Sequence, residues 1–316
     1  MVSLVELLQQ IDRWFFDYQV SSVLIGVMQA LAIAVVLAQF AVQFGDIIRY
    51  SKPFGVFNTD AWLNACKSFP QMSLYSLFPQ SHILPWIVTL GAFISGFLAL
   101  IGLLTWLTLP TFLVSVVSIQ GRTFTIMFSG GDSVVRMLLL CLALTDSSAA
   151  LSVDTLLSSK PELSTVPGWP IRILQIYVCS IYWNSACYKI YRQCWISGHA
   201  VRDAAMSGLW GRRIGLSLFS NQFFSKWLSR SVLIFESTAP ITFWITETTV
   251  PTLVAALLLH GSLWLFLRIG YFGPIMMVSV LAFGNPLVSF VGQLSPSKIA
   301  RISHENDKYF FHYSHS

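Results

Sequence analysis

The sequence predicts an all-α fold: a polytopic transmembrane helical bundle of about eight membrane segments, preceded by an amphipathic interfacial helix. Of its 316 residues, 55% are hydrophobic and 10% are charged, against roughly 25% charged residues in ordinary soluble domains. Mean hydropathy is +0.66, and the apolar residues form long runs that need lipid as their solvent. The composition excludes a soluble enzyme and a disordered chain. The net charge of +5 shows no pattern of a nucleic-acid-binding groove.

The first elements follow from periodicity and charge. Over residues 1–19, apolar side chains recur at helical spacing with polar ones on the other faces, which predicts a helix lying on the membrane surface. Residues 20–42 carry no charge and are long enough to cross a hydrocarbon core of about 30 Å. The polar, aromatic segment 44–81 contains proline and glycine turn formers, so we expect a loop at the headgroups.

The next apolar stretch, residues 83–119, is too long for one span, and Pro110 lies where a helix would kink or restart. We expect two helices there, the second of them short. A turn at residues 129–132 precedes a helix over residues 134–144. A further helix is predicted over residues 169–191, followed by a basic segment of surface helices over residues 192–229.

Three more apolar segments complete the predicted bundle, over residues 231–245, 252–267 and 272–283. Residues 20–290 are therefore expected to form one transmembrane domain, and residues 291–316 a polar tail. No internal repeat indicates a transporter built from two related halves.

The C-terminal part of the helix predicted over residues 169–191 carries a polar stripe. Tyr182, Ser185, Lys189 and Arg192 recur at spacings of three and four residues and share one face. A charged residue in an apolar segment costs roughly 2.5 to 3.5 kcal/mol on insertion scales, so it needs a partner or a function. A partly desolvated lysine can act as a base at neutral pH, which makes Lys189 a candidate catalytic residue. The alternative is a lysine at a helix end that extends its ammonium to the interface.

Two further ionisable residues interrupt the last apolar segments. Glu236 is either a carboxylate that lines a polar cavity, where it orients a base or relays protons, or the partner of a nearby arginine that joins two helices. His260 is either a group that changes charge near neutral pH or a buried side chain whose ring nitrogens are simply hydrogen-bonded.

Arg122 and Asp132 flank the turn at Gly130 and Gly131, with Arg136 one helical turn further on. We expect Asp132 to cap a helix N-terminus, worth about 1 kcal/mol, and to pair with Arg136. Arg122 is also suited to recognise an anion such as a carboxylate at the membrane edge. The five cysteines include no CxxC pair and no His/Cys spacing suited to zinc, so no metal site is indicated.

Several short motifs occur in a fixed order along the chain. They are Tyr50-Ser51 with Gly55-Val56, Arg122 with Gly130-Gly131-Asp132 and Arg136, Ser152-Val153-Asp154, Ala186-Cys187-Tyr188-Lys189 with Trp195 and Gly198, Glu236 with Pro240, and His260 with Phe272 and Met276-Met277. In this order they resemble the HTTM domain family, which includes the membrane domain of vitamin K-dependent gamma-carboxylase and short bacterial proteins of the sporulation-delaying protein B type. The resemblance covers residues 50–283.

The resemblance implies a bacterial plasma-membrane protein in which Lys189 stands in the position of the carboxylase base that deprotonates a reduced quinone. The candidate site then comprises the catalytic residues Lys189, Glu236 and His260 and the cofactor-binding residues Arg122, Asp132 and Trp195. A reduced quinone is the implied cofactor, and a ribosomal peptide precursor is the implied substrate class. Because Lys189-Ile190 replaces the lysine pair of the carboxylase, glutamate carboxylation itself is not expected.

Two functions stay open at this point. The first is a membrane enzyme that modifies a peptide or lipophilic substrate in a cavity of the bundle. The second is a non-enzymatic protein for immunity, export or scaffolding in a peptide-toxin system, whose polar residues hold helices together. Loss of Lys189 separates them, because an enzyme would lose activity and stay folded, whereas a scaffold would lose folded yield together with its phenotype.

Overall fold

The computed structural model describes residues 4–55, 57–127, 129–158 and 163–288. Within these residues the regular secondary structure is helical, apart from one short antiparallel strand pair and a single bridge. This confirms the all-α prediction. The helices are α1 (Leu4–Phe16), α2 (Ser22–Val42), α3 (Phe44–Ser51), α4 (Thr59–Ser68), α5 (Leu84–Leu100), α6 (Thr105–Met127), α7 (Gly130–Ala143), α8 (Val153–Leu157), α9 (Trp169–Ile190), α10 (Gln193–Ser197), α11 (Ala200–Met206), α12 (Arg213–Phe219), α13 (Gln222–Thr242), α14 (Thr246–Phe266) and α15 (Phe272–Val280). Short 3-10 helices cover Leu74–Ser76 and Leu281–Phe283.

Among the described residues, α2 and α14 are long and apolar enough to cross a membrane, by length and composition. Helix α5 and the segment Phe272–Phe283 are apolar but shorter. Helices α6, α9 and α13 have 23, 22 and 21 residues, but each contains at least one charged side chain, which lowers its hydropathy. The expected number of eight membrane segments is therefore not confirmed.

Buried amides cross-link the bundle while its outer faces are apolar. Gln29 in α2 donates from Nε2 to the carbonyl of Ala99 at 2.7 Å, and Gln175 in α9 donates to the carbonyl of Ala282, also at 2.7 Å. Large apolar side chains such as Ile94 on α5 point outward and are exposed. Hydrogen bonds between helices inside and hydrocarbon side chains outside are typical of a helical bundle in lipid.

The break in the long apolar stretch does not lie at Pro110. Helix α5 ends at Leu100 and α6 begins at Thr105, where the Asp154 carboxylate accepts hydrogen bonds from the N–H groups of Leu104 at 2.8 Å and Thr105 at 3.0 Å. Pro110 is the sixth residue of α6, so its missing N–H costs only one intrahelical bond. The prediction of a short second helix was wrong, because α6 has 23 residues.

Side-chain caps start helices where apolarity alone predicts none. The segment 44–81, expected to be a loop, contains α3, α4 and a 3-10 helix, and Asn58 caps α4 by accepting from the N–H of Ala61 at 2.8 Å. Asn221 likewise accepts from the N–H of Phe224 at 3.1 Å, so α13 begins nine residues before the predicted segment. Caps stabilise a helix start regardless of the hydropathy that follows.

A strand pair brings the entries of α2 and α9 together. Strand β1 (Gln19–Ser21) pairs antiparallel with β2 (Thr165–Pro167), and the N–H of Gly168 donates to the carbonyl of Tyr18 at 2.7 Å. Helix α1, which precedes β1, has no buried residue. The predicted tail over residues 291–316 lies outside the described residues, and the three-part division of the chain stays a prediction.

Candidate functional site

The centre of the candidate site is an ion pair between two packed helices. Lys189 lies in the last turn of α9, and Glu236 lies in the second half of α13, which packs along α9. The Lys189 Nζ contacts both carboxylate oxygens of Glu236. The two side chains are only 14% and 8% exposed, so the charges are held largely away from water. Glu236 therefore pairs with a lysine and not with an arginine, the partner that one of the two alternatives named.

Trp195 makes a further contact with this lysine. The Lys189 Nζ lies 4.5 Å from the centroid of the Trp195 ring, which is within cation–π range. Gly198 makes the approach possible, because it ends α10 with φ of 86°, and a Cβ atom there would lie 2.9 Å from the Cα of Lys226. Only glycine fits this left-handed conformation so close to α13.

These residues line a cavity of about 210 Å³, which we call the lysine cavity. Its walls are otherwise mostly aliphatic and aromatic side chains from α10 to α14. The lining residues are Lys189, Trp195, Ala200, Val201, Ala204, Phe219, Leu228, Val232, Glu236, Leu259, Ser262, Leu263, Phe266 and Leu267. An amine and a carboxylate thus meet at one wall of an apolar space.

His260 does not line the lysine cavity but lies behind it. Its Nε2 is 2.7 Å from the Tyr182 hydroxyl, and its Nδ1 is buried without a hydrogen-bond partner in the described part of the chain. Tyr182 is 1% exposed, and its ring packs edge-on against Phe235 at 5.6 Å. Tyr182 and Lys189 lie two turns apart on the same face of α9. The polar stripe predicted from the sequence therefore connects the Tyr182–His260 pair with the lysine cavity.

Arg122 lies apart from the lysine cavity. Its side chain is buried, and Nη2 donates to the carbonyls of Lys52 at 3.1 Å and Phe57 at 3.0 Å. The guanidinium carbon lies 5.1 Å from the centroid of the Trp62 ring. Arg122 therefore holds the turn after α3 against α4 and α6. It lines neither of the cavities at which the other predicted site residues lie.

Asp132 belongs to a second polar cluster. Ser129, not Asp132, is the N-cap of α7, and Asp132 is the third helical residue of a capping box. The Asp132 carboxylate also accepts from the Tyr271 hydroxyl. Arg136 donates from Nε to Gln120 Oε1 at 2.8 Å rather than forming the expected pair with Asp132. The sequence offered no signal for Tyr271, since 139 positions separate it from Asp132.

Asp132 and Tyr271 line a larger cavity of about 610 Å³, which α2, α6 and α7 close on one side. A backbone bridge lies between residues that line this cavity and residues that line the lysine cavity. Gly211 pairs with Leu267, and the N–H of Arg268 donates to the carbonyl of Trp210 at 2.7 Å. Leu267 lines the lysine cavity, and the next residue lines the larger one.

The structure thus brings Lys189, Glu236 and Trp195 together and places Asp132, Arg122 and His260 elsewhere. In the described residues, no group of three or more His, Cys, Asp or Glu side chains is arranged to hold a metal ion. The family model described as the HTTM domain matches residues 20–286. No curated protein and no solved structure matches the chain.

Proposed function

The chain belongs to the HTTM domain family, whose model spans most of its length, and we propose that it is a membrane enzyme that uses Lys189 as a base on a peptide or lipophilic substrate. The supporting observation is the Lys189–Glu236 pair in the wall of an otherwise mostly apolar cavity. Charges withdrawn from water are costly and are commonly retained where they perform chemistry. The family membership makes the chain a membrane-domain protein. The bacterial plasma membrane and multiple membrane passages are part of the proposal and rest on the resemblance.

The pair supplies a route to a neutral amine. Transfer of one proton from the Lys189 Nζ to Glu236 gives an amine and a carboxylic acid without a change in net charge. A ligand that fills the cavity and excludes water lowers the cost of this transfer, because separated charges lose their solvation. The amine then accepts a proton from an acidic O–H or C–H group of the substrate. The ammonium so formed stabilises the substrate anion while Glu236 keeps its own proton.

Trp195 and His260 contribute in different ways to the acceptance of a proton by the Lys189 amine. The Trp195 ring faces the nitrogen at 4.5 Å and favours its cationic form by about 0.5–2 kcal/mol. His260 acts through Tyr182, two turns back along α9, and we assign both residues a positioning role. Arg122 and Asp132 shape the neighbouring part of the bundle.

A reduced quinone, the cofactor implied by the resemblance, is compatible with these residues. The volume of about 210 Å³ lies below the roughly 300–1,000 Å³ of pockets for drug-sized ligands. The cavity therefore suits one ring system with a hydroxyl group at Lys189, and an isoprenoid chain would lie outside along the apolar surface. A bound reduced quinone would supply an acidic hydroxyl and two electrons.

The larger cavity is our proposed location for a peptide substrate. It offers carboxylate, amide and phenol groups beside apolar side chains, and its volume falls within the range of ligand-binding pockets. It adjoins the lysine cavity across the bridge between Gly211 and Leu267. A ribosomal peptide precursor is the substrate class that the resemblance implies.

A naphthol titration tests the base directly, because the naphtholate anion absorbs at longer wavelength than the neutral naphthol. We expect detergent-solubilised wild-type protein to bind the probe as the anion, and Lys189→Met to abolish the anion band. Lys67→Met is the matched control, since Lys67 is exposed on α4. Binding at 100 times Kd should also add about 2.7 kcal/mol to the free energy of unfolding. An anion band of equal strength in folded Lys189→Met would exclude Lys189 as the base.

The non-enzymatic function has one observation in its favour, because the same ion pair also joins α9 to α13. For a scaffold, immunity or export protein, Lys189→Met and Glu236→Gln would each lower folded yield in proportion to phenotype. The apolar double variant Lys189→Met/Glu236→Leu would then restore both. For the enzyme, the double variant folds and stays inactive.

A further inference from the structure

A second partly buried cation, which has no carboxylate partner among the described residues, lies at the opposite end of α9 from Lys189. Arg172 is the fourth residue of this helix, and Lys189 lies in its last turn. The 17 intervening steps correspond to about 25 Å at 1.5 Å per residue. The Arg172 region is therefore separate from the lysine cavity and belongs to the other end of the bundle.

Aromatic rings surround the Arg172 guanidinium. Its carbon lies 3.7 Å from the centroid of the Tyr18 ring, 4.6 Å from that of Trp14 and 5.6 Å from that of Trp244. Nη1 donates to Gln175 Oε1 at 3.0 Å, while Nε is buried without a hydrogen-bond partner among the described residues. The contacts described for this guanidinium are rings and one amide oxygen, and none of them carries a negative charge.

An open cavity of about 350 Å³ adjoins the guanidinium, and we call it the arginine cavity. Its lining residues are Tyr18, Arg172, Gln175, Phe243, Trp244, Thr246, Thr249, Phe283, Asn285 and Pro286. Helix α14 begins at Thr246 in this wall, and its N-cap residue supplies no side-chain hydrogen bond. The positive end of the helix dipole therefore adds to the charge of Arg172. Glu247, the acidic residue of that first turn, does not line the cavity.

The amphipathic helix α1 packs beside this cavity, and its character leads us to infer that the cavity lies at the level of lipid headgroups. None of its residues is buried, as expected of a helix that lies in the membrane interface. Trp14 of α1 packs against Trp244 at 5.4 Å and against Arg172. Tryptophan and tyrosine are enriched at this depth of the bilayer. Because none of the described residues supplies Arg172 with a counter-ion, an anionic headgroup at this depth is suited to that role.

We propose that the arginine cavity binds the phosphate group of a phospholipid, with Arg172 as its principal ligand. A guanidinium can donate two parallel hydrogen bonds to phosphate oxygens while aromatic rings stay stacked on its flat faces. The phosphate neutralises a charge that is costly to leave unpaired beside hydrocarbon. The acyl chains then extend along the exposed apolar side chains of the bundle.

Native mass spectrometry of the full-length protein tests this assignment. Short-chain phosphatidylglycerol is compared with the diacylglycerol of the same chains, which lacks phosphate, and with glycerol 3-phosphate, which lacks chains. We expect retention of phosphatidylglycerol alone, and binding about tenfold weaker in Arg172→Gln, equivalent to about 1.4 kcal/mol. Arg13→Gln is the matched control, because Arg13 is an exposed arginine of α1 that lies beside Trp14 without touching the cavity.

Three results would overturn the proposal: equal binding of diacylglycerol, equal binding of glycerol 3-phosphate, or an equal loss in Arg13→Gln. If Arg172→Gln does not fold, Thr246→Asp provides a second test of the site. It places a carboxylate in the same cavity, at a helix N-terminus that favours acidic residues. We expect this internal counter-ion to displace the phospholipid. Unchanged phosphatidylglycerol binding in folded Thr246→Asp would exclude the site.

Discussion

The Lys189 ammonium and the Trp195 ring lie 4.5 Å apart although α9 ends between them. Helix α10 follows α9 directly and carries the indole that contacts the amine. One atom, the lysine Nζ, thereby contacts a carboxylate and a π face, and its side chain lines a cavity. These contacts make the environment of the proposed base sensitive to single substitutions.

Trp195→Leu should weaken binding of the naphtholate probe about twofold to thirtyfold, because a cation–π contact contributes about 0.5–2 kcal/mol. Trp195→Phe should retain part of the effect, since a smaller π face remains. Probe titration of the solubilised variants measures both. Trp227→Leu, which removes an exposed tryptophan of α13, is the control, and a loss of equal size there would point to general loosening of the bundle.

Glu236→Gln should lower the free energy of unfolding by about 3 kcal/mol, because it leaves the Lys189 charge unpaired in a largely buried position. Lys189→Met/Glu236→Leu should recover most of that loss, since no charge is then left without a partner. Thermal unfolding in detergent of Lys189→Met, Glu236→Leu and their double variant gives the coupling energy of the double-mutant cycle. Additive costs of the two single substitutions would show that the pair is not energetically coupled.

Tyr182→Phe should lower the free energy of unfolding by about 1–3 kcal/mol, because the buried Nε2 of His260 loses its hydrogen-bond partner. The apolar double variant Tyr182→Phe/His260→Leu should be more stable than Tyr182→Phe alone. The thermal midpoint checks both statements. Tyr188→Phe, on an exposed tyrosine of the same helix, should change it little. A destabilised double variant would mean that His260 has a further partner.

Asp132→Ala should cost more stability than Ser129→Ala. Ser129→Ala removes one cap, worth about 0.5–2 kcal/mol. Asp132→Ala removes its part of the capping box and also leaves the Tyr271 hydroxyl without its carboxylate. Chemical or thermal unfolding of both variants ranks them. Equal losses would assign Asp132 a purely local role at the start of α7.

Gly168→Ala should impair phospholipid retention, although Gly168 is not among the residues that line the arginine cavity. A Cβ at this position would lie 2.5 Å from the Cδ1 of Tyr18, so the ring beneath Arg172 must shift. Native mass spectrometry should show weaker phosphatidylglycerol binding than in the wild type. Gly45→Ala is the control, since a Cβ there meets nothing within 4 Å. Wild-type retention in folded Gly168→Ala would show that Tyr18 does not support the site.

Apolar runs predicted most of the long helices, because burial and lipid contact both select hydrocarbon side chains. They did not predict helix starts that depend on a side-chain cap, such as the caps formed by Asn58 and Asn221. They also placed the reversal at Pro110 rather than at the contact between Leu104 and Asp154. That contact joins residues 50 positions apart, and no local pattern records it.

The candidate site was predictable where its residues share one helix. The spacing of Tyr182 and Lys189 put them on one face of α9, and insertion cost marked Glu236 and His260 as residues in need of partners. Their pairing was not predictable, since 47 positions separate Lys189 from Glu236 and 78 separate Tyr182 from His260. Arg172 was missed, although the same insertion-cost argument applies to an arginine in the first turns of an apolar helix.

The bridge between Gly211 and Leu267 links the walls of the two cavities, because Leu267 lines the lysine cavity while Trp210 and Arg268 line the larger one. We therefore expect a bulky occupant of one cavity to shift residues that line the other. Substitutions at Trp210 or Leu267 should consequently affect both of the proposed binding functions. Trp195 lines the lysine cavity and Tyr271 lines the larger one, so substitutions at these two positions should each affect mainly one of them.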